Sequence, residues 1–177
     1  TFSYCDTYPK YLVVPATVND ETLQTFKEFR SKNRAPVLSW VHPTNQCSIT
    51  RCSQPMTAAI KRNKDDESYI QSIKDASPSC NNLVIFDARP ILNALSNQVI
   101  GGGYEDVKNY KNATLVFLDI PNIHAIRDSL KKLRDLCITN YNSIDWFSLL
   151  DNTKWLEHVG KILSGAVKIA ENVDRNR

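Results

Sequence analysis

Glycine, histidine and methionine are scarce in this 177-residue sequence, which contains five Gly, three His and one Met. So little Gly excludes a collagen-like or glycine-rich disordered chain, and three widely spaced His do not form a zinc-ligand cluster. No apolar run approaches the roughly 20 residues needed to span a bilayer. The 22 Lys and Arg nearly balance the 19 Asp and Glu, so the net charge of +3 favours no particular partner.

The cysteine spacing fits neither a metal site nor a cysteine-dependent phosphatase loop. No two of the five form a Cys-x-x-Cys pair, and such a phosphatase loop needs an Arg six positions after its nucleophile. That position is never Arg in this sequence. We therefore predict no catalytic residue and no metal ligand in this chain, and a reducing, cytoplasmic setting. The following Cys are expected to be small buried or half-buried side chains: Cys5, Cys47, Cys52, Cys80 and Cys137.

Short β-branched runs alternate with longer amphipathic stretches, a pattern typical of an α/β protein. Strands are predicted at residues 11–14, 37–41, 48–51, 83–86 and 115–118. Helices are predicted from Asp20 to about residues 30–33, over 65–75 and over 152–173. We expect one apolar stripe of the last helix to pack in the core: Trp155, Val159, Ile162, Leu163, Ala166 and Ala170.

Two predicted strands end in an acidic residue that is followed by Pro. One junction contains Asp87 and Pro90, and the other contains Asp119, Pro121 and Asn122. If these strands are parallel neighbours, both junctions lie at the carboxyl edge of a sheet, where open α/β folds bind ligands. Asn122 fits a helix N-cap, and the N-terminus of that helix would also suit an anion. The pattern alone leaves both roles open.

Two other features have plain interpretations. The Gly run at residues 101–103 matches no dinucleotide-binding or phosphate-loop fingerprint and favours a flexible turn. Two basic stretches, one beginning at Arg30 and one around Arg62, lack the interleaved aromatic residues that stack on bases. We interpret both as solvated polar surfaces and predict no nucleic-acid partner.

Taken together, motifs from Tyr4 to about Asp174 resemble the opening of the myotubularin phosphatase domain. In chain order they are Tyr4-Cys-Asp-Thr-Tyr-Pro9, Phe29-Arg-Ser31, Arg34-Ala-Pro-Val-Leu-Ser-Trp40, Arg51-Cys-Ser-Gln-Pro55, Lys61-Arg-Asn-Lys-Asp-Asp-Glu67, Phe86-Asp-Ala-Arg-Pro90, Asn93-Ala94, Asn97, Gly101-Gly-Gly-Tyr-Glu105, Asn122-Ile-His124, Arg127-Asp-Ser129 and Trp155-Leu-Glu-His158.

The resemblance implies an α/β fold of the cysteine-dependent phosphatase type, with a central mixed sheet flanked by helices. Residues 1–177 would be the N-terminal portion of that domain, incomplete because the loop Cys-Ser-Asp-Gly-Trp-Asp-Arg would follow shortly after residue 177. The parent protein would dephosphorylate phosphatidylinositol 3-phosphate and phosphatidylinositol 3,5-bisphosphate without a cofactor. This chain alone would be inactive, because it lacks the nucleophile.

The resemblance also implies a substrate site and partners. Asn97, Asn122 and Ile123 match positions that contact the phosphoinositide headgroup in active family members. The expected setting is the cytoplasm, peripheral at endosomal membranes, with homo- or hetero-oligomers formed with other myotubularins. The alternative is a catalytically inactive, myotubularin-like adaptor that binds and regulates active members.

Overall fold

The computed structural model describes residues 4–58, 60, 62–77, 82–139 and 142–175. In chain order the elements are α1 (Asp20–Thr25), two short 3₁₀ turns (Lys27–Phe29 and Ser31–Asn33), β1 (Val37–Val41), β2 (Ser48–Arg51), α2 (Lys64–Asp75), β3 (Leu83–Asp87), α3 (Ile91–Gln98), a further 3₁₀ turn (Val107–Asn109), β4 (Ala113–Phe117), α4 (Ile123–Thr139), α5 (Trp146–Asn152) and α6 (Trp155–Arg175).

The described strands form two separate two-stranded sheets. β1 and β2 are antiparallel, with a register shift between Leu38 and Trp40. β3 and β4 are parallel and in register from Leu83 opposite Ala113 to Asp87 opposite Phe117. The predicted mixture of α and β structure is confirmed. The expectation of one central sheet is wrong for the described residues, because β2 and β3 do not pair.

Most strand predictions are close to the observed elements. The predicted strands at 37–41 and 48–51 coincide with β1 and β2, while β3 is one residue longer than predicted and β4 begins two residues earlier. The predicted strand at 11–14 is wrong. Pro9 and Pro15 flank that segment, and Pro cannot donate to a strand ladder. What remains is a loop in which the Val13 carbonyl accepts a hydrogen bond from Leu38 N at 3.1 Å.

The predicted helix from Asp20 to residues 30–33 is shorter than expected. It begins one residue after Asn19, whose Oδ1 accepts from Thr22 N at 2.8 Å, and it ends at Thr25. The chain then turns through 3₁₀ segments, and Lys32 and Asn33 have positive φ angles of 55° and 56°. Arg30 lies between the two 3₁₀ turns in an extended conformation and forms an antiparallel bridge with Pro55.

The main core lies between the α1 region and α2. Phe26 and Tyr69 stack with their ring centroids 4.8 Å apart, and Ile73 and Phe29 are buried with them. The Tyr69 hydroxyl donates to the carbonyl of Pro36 at 2.5 Å, which satisfies the polar end of a buried aromatic side chain. Burial raises the pKa of Tyr69, so this hydroxyl stays protonated.

Arg30 is buried at the centre of a charged cluster and is only 1% exposed. Its Nε and Nη2 donate to the two carboxylate oxygens of Asp66 at 2.7 and 2.6 Å, and Nη1 donates to Glu105 Oε1 at 2.5 Å. Burial by itself would lower the pKa of Arg30, but Cys52, Asp66 and Glu105 outweigh it, and the pKa lies well above its ordinary value. The interpretation of Arg30 as part of a solvated polar surface is therefore wrong.

Most of the predicted core stripe of α6 does not pack in the core, although Trp155 and Val159 are half-buried. Leu163 is 61% exposed, and Ile162, Ala166 and Ala170 are also exposed. The helix instead packs through a different face, which includes His158 and Gly165. At Gly165 a β carbon would lie 3.2 Å from Leu118 Cδ1, so the small residue brings α6 close to the segment that follows β4.

Within the part of the chain that the structure describes, every helix is too short or too polar to cross a bilayer.

We predict that Arg30→Ala lowers the free energy of unfolding by about 3–5 kcal/mol, because it leaves two buried carboxylates without their cation. Urea unfolding of the protein measures this loss. Arg62→Ala is the matched control, since Arg62 forms a comparable pair with Glu67 at 2.7 Å but is itself exposed. The control should change stability little. Equally small effects of the two substitutions would contradict the role assigned to the Arg30 cluster.

Candidate functional site

A cleft of about 570 Å³ separates the two sheets, and every residue of β2 and β3 lines it. β2 pairs with β1 and β3 pairs with β4, so each strand that lines the cleft has one edge without a strand partner among the described residues. α2 contributes Ile70 and Ile73 to the wall, and α6 contributes Ile169 and Val173. An unpaired strand edge presents N–H and C=O groups, so this cleft has the lining to accept an extended segment.

The polar end of the cleft lies where β3 ends. Arg89 Nε and Nη2 donate to the carboxylate of Asp87 at 2.9 and 2.6 Å, and Nη2 also donates to the carbonyl of Gly103 at 2.8 Å. Nη1 donates to Gln54 Oε1. These bonds join the end of β3, the Gly run and the loop after β2. This network was not predicted, and its signal in the sequence is the junction from Asp87 to Pro90.

The Gly run begins in a turn at Gly101, as predicted, but it is closely packed rather than flexible. Gly101 has a φ of 95°, which side chains disfavour, and Gly102 and Gly103 are buried. A β carbon on Gly102 would lie 2.9 Å from Gln54 Nε2, and one on Gly103 would lie 1.9 Å from Thr57 Oγ1. The run consists of glycine because the 54–57 segment occupies the space that side chains would need.

Asn97 is half-buried in α3 and lines the cleft. Its Nδ2 donates to Gln54 Oε1 at 3.3 Å, and its backbone carbonyl accepts from Gly102 N at 2.9 Å. The first of the predicted site residues therefore lies at the polar end of the cleft, with its carboxamide held from one side.

Asn122 and Ile123 lie at the N-terminus of α4. Asn122 Oδ1 accepts from His124 N and Ala125 N, both at 3.0 Å, which confirms the predicted N-cap. Because the cap uses Oδ1 as an acceptor, Nδ2 is the group of this side chain that can donate to a ligand. Ile123 is exposed.

The parallel pairing of β3 and β4 places both acidic junctions at one sheet edge, as the sequence analysis anticipated. Asn97 lines the cleft there, whereas Asn122 and Ile123 lie outside its lining, at the start of the neighbouring helix. Asp119 lies at the end of β4 with a φ of 56°, and Lys161 Nζ donates to its Oδ2 at 2.7 Å. This ion pair joins α6 to the same edge, and it was not predicted from the sequence.

The cysteines differ from one another in exposure and in disulfide bonding more than predicted. Cys5 is a buried free thiol and Cys47 is buried and disulfide-bonded, whereas Cys52 and Cys137 are free and exposed, so the expectation of burial is wrong for these two. Cys80 lies outside the described residues. Cys52 lines the cleft, its Sγ accepts from the buried Arg30 Nη1 at 3.7 Å, and removal of the sulfur from water raises the pKa of the thiol to about 11. Cys52 is therefore a protonated, weakly nucleophilic thiol at neutral pH.

Among the described residues, no three His, Cys, Asp or Glu side chains come together as a group that could hold a metal ion. The chemistry that the described edge offers is hydrogen bonding by the Asn97 carboxamide and the Asn122 Nδ2 group, beside the positive end of the α4 dipole. Such donors and acceptors suit a small ligand that carries both hydroxyl and phosphate groups.

This arrangement is that of an α/β protein in which polar side chains gather at the carboxyl ends of two parallel strands, where open α/β folds bind their ligands. The whole chain, residues 1–177, matches the family model described as the myotubularin-like phosphatase domain. The chain therefore belongs to the myotubularin-like phosphatase domain family.

Individual relatives agree with this assignment. The chain is 51% identical over 173 residues to a protein named myotubularin from Xenopus tropicalis, a match that covers 97% of this chain and 29% of the relative. It is 50% identical over 177 residues to the phosphatidylinositol-3,5-bisphosphate 3-phosphatase MTMR2 of Bos taurus, covering 99% of this chain and 28% of the relative. The chain thus spans less than a third of the length of these curated relatives.

We predict that the Cys52 thiol of the 177-residue chain reacts slowly with iodoacetamide at pH 7, although it is open to the cleft. The rate should rise with pH toward the pKa of about 11, because only the thiolate reacts. Mass spectrometry of timed samples measures the rate at each pH, with the exposed Cys137 as an internal comparison. A fast, pH-independent reaction of Cys52 would contradict the prediction.

Proposed function

We propose that this chain is the headgroup-positioning portion of a cysteine-dependent phosphoinositide 3-phosphatase, which dephosphorylates phosphatidylinositol 3-phosphate and phosphatidylinositol 3,5-bisphosphate. The observation that supports the proposal is the parallel pairing of β3 and β4, since Asn97 lies on the helix that follows β3 and lines the cleft, and Asn122 caps the helix that follows β4. The names of the relatives support the substrate class.

An inositol phosphate headgroup has hydroxyl groups that donate hydrogen bonds and phosphate groups that accept them. The Asn97 carboxamide faces the cleft and serves the hydroxyl groups. Asn122 Nδ2 and the N-terminus of the 17-residue helix α4 attract a phosphate, because the helix dipole is positive at that end. The exposed Ile123 side chain adjoins these donors and offers an apolar contact to the face of the inositol ring.

The nucleophile comes from a segment outside these 177 residues. We propose that an extended segment enters the cleft, pairs with the free edges of β2 and β3, and carries the catalytic Cys to the carboxyl edge. The thiolate attacks the phosphorus of the 3-phosphate, the bond from phosphorus to the inositol oxygen breaks, and an acid protonates that departing oxygen to give the inositol hydroxyl group. Water then hydrolyses the phosphocysteine and releases inorganic phosphate.

Two features support the idea that this portion is completed by further protein. Among the described residues, β2 and β3 each have one edge without a strand partner, and both line the cleft. The exposed stripe on α6, with Leu163 and Val167, and the exposed Phe147 on α5 are apolar surface that folded proteins usually cover. The 177-residue chain alone is therefore inactive. It needs both the nucleophile and further protein that covers the apolar surface of α5 and α6.

The substrates are membrane lipids, so the proposed place of action is the cytoplasmic surface of endosomal membranes. Assembly with other copies or with other myotubularins belongs to the same proposal. The exposed apolar stripe of α6 is a surface suited to further protein contacts.

The test uses the purified longer protein that contains this chain and follows phosphate release from phosphatidylinositol 3-phosphate in vesicles. We expect Asn97→Ala and Asn122→Ala each to raise KM by about five- to tenfold, the effect of losing one hydrogen bond to a polar or charged group. The 177-residue chain by itself should release no phosphate.

Asn19→Ala is the matched control for Asn122→Ala. Asn19 caps α1 in the same way, through a hydrogen bond from Thr22 N, but lies away from the carboxyl edge. Loss of either cap costs about 1 kcal/mol of stability, whereas only Asn122→Ala should change KM. Equal KM values for these two variants would contradict the headgroup role, and no turnover by the unaltered protein would favour an adaptor instead.

A further inference from the structure

We infer that Gln54 is a positioning residue, which sets the orientation of the Asn97 carboxamide and so decides that Asn97 offers an oxygen acceptor to the headgroup. This inference rests on the proposed function and names a residue that acts through Asn97 rather than on the substrate itself. It comes from the chemistry of three side chains that meet at the polar end of the cleft: Arg89, Gln54 and Asn97.

Arg89, Gln54 and Asn97 form a row of three hydrogen-bonded side chains. The guanidinium group of Arg89 determines which atom each of the two carboxamides uses in this row. Arg89 has only donors, so the Gln54 atom that its Nη1 contacts must be the oxygen, Oε1. The same oxygen lies 3.3 Å from the carboxamide of Asn97, so the Asn97 atom that contacts it must be the donor Nδ2. Asn97 Oδ1 is then the atom turned away from Gln54. An acceptor there suits a hydroxyl group of the inositol ring.

Arg89 is itself held in one place. Its Nε and Nη2 form a two-pronged pair with the carboxylate of Asp87 at 2.9 and 2.6 Å, and Nη2 also reaches the carbonyl of Gly103 at 2.8 Å. Asp87 is the last residue of β3, so the guanidinium is fixed relative to the sheet. A planar group with this many bonds leaves Nη1 in a defined direction.

Gln54 is also held at both ends. Its backbone carbonyl accepts from Ser31 N at 3.0 Å, which fixes the start of the side chain. Its carboxamide lies in the space that Gly102 leaves open, where a β carbon would be 2.9 Å from Nε2 and 3.0 Å from Oε1. The absence of a side chain at Gly102 thus gives Gln54 room to reach Asn97 and Arg89 together.

Without this acceptor, nothing in the row distinguishes the two ends of the Asn97 carboxamide. A half-turn about its last bond would present Nδ2 where the headgroup hydroxyl needs an oxygen. The consequence is weaker binding of the substrate, with little change in the chemical step. A rise in KM at nearly constant kcat is the kinetic signature of that loss.

The experiment compares Gln54→Met, Gln54→Glu and Asn97→Ala in the purified longer protein, with phosphatidylinositol 3-phosphate vesicles as substrate. Met has a similar length but no amide acceptor, and we expect it to raise KM about fivefold with kcat within about twofold of the unaltered protein. Glu keeps an acceptor for both Arg89 and Asn97, so the KM of Gln54→Glu should lie within about twofold of the KM of the unaltered protein.

The double variant Gln54→Met with Asn97→Ala separates positioning from a general structural effect. If Gln54 acts through Asn97, the double variant should have the same KM as Asn97→Ala alone. Multiplied effects of the two changes, or a Gln54→Met variant with unchanged KM in an active protein, would overturn the inference while leaving the proposed function in place. No turnover by the unaltered protein would overturn the proposed function and this inference together.

Discussion

The ion cluster around Arg30 is the interaction on which the rest of the structure depends. One buried guanidinium joins Asp66 of α2, Glu105 beyond the Gly run and the carbonyl of Ser53 in the loop after β2. Removing such a cation from water is costly, and the cost is offset only when its N–H groups are used in this way. Because the loop after β2 and the Gly run are both held by Arg30, the contact between Gln54 and Gly102 follows from it.

The open cleft is the second constraint. In the part of the chain that the structure describes, four strands in two separate pairs leave β2 and β3 each with one edge without a strand partner, and both strands line the same space. The polar residues gather at the end of that space where β3 finishes, and α4 begins on the same edge. The proposed function follows from this geometry: one portion of the protein orients the headgroup, and a segment from outside these residues brings the nucleophile.

Local features could be predicted from sequence, whereas long-range ones could not. The β1 and β2 segments have β-branched and apolar residues in short runs, and the Asn122 cap needs only the four residues around it. Arg30 resembled a surface residue because its neighbours in sequence are basic, while its partners Asp66 and Glu105 lie 36 and 75 positions away. Likewise the periodicity of α6 correctly marks an apolar stripe, but periodicity does not say which partner covers it.

A crystal structure of the longer protein with the soluble headgroup inositol 1,3-bisphosphate would test the central claim most directly. The account predicts that the headgroup lies at the carboxyl edge of β3 and β4, with Asn97 Oδ1 about 2.5–3.0 Å from a ring hydroxyl and Asn122 Nδ2 directed at a phosphate. A headgroup bound elsewhere, or an Asn97 carboxamide with Nδ2 facing the ring, would contradict it.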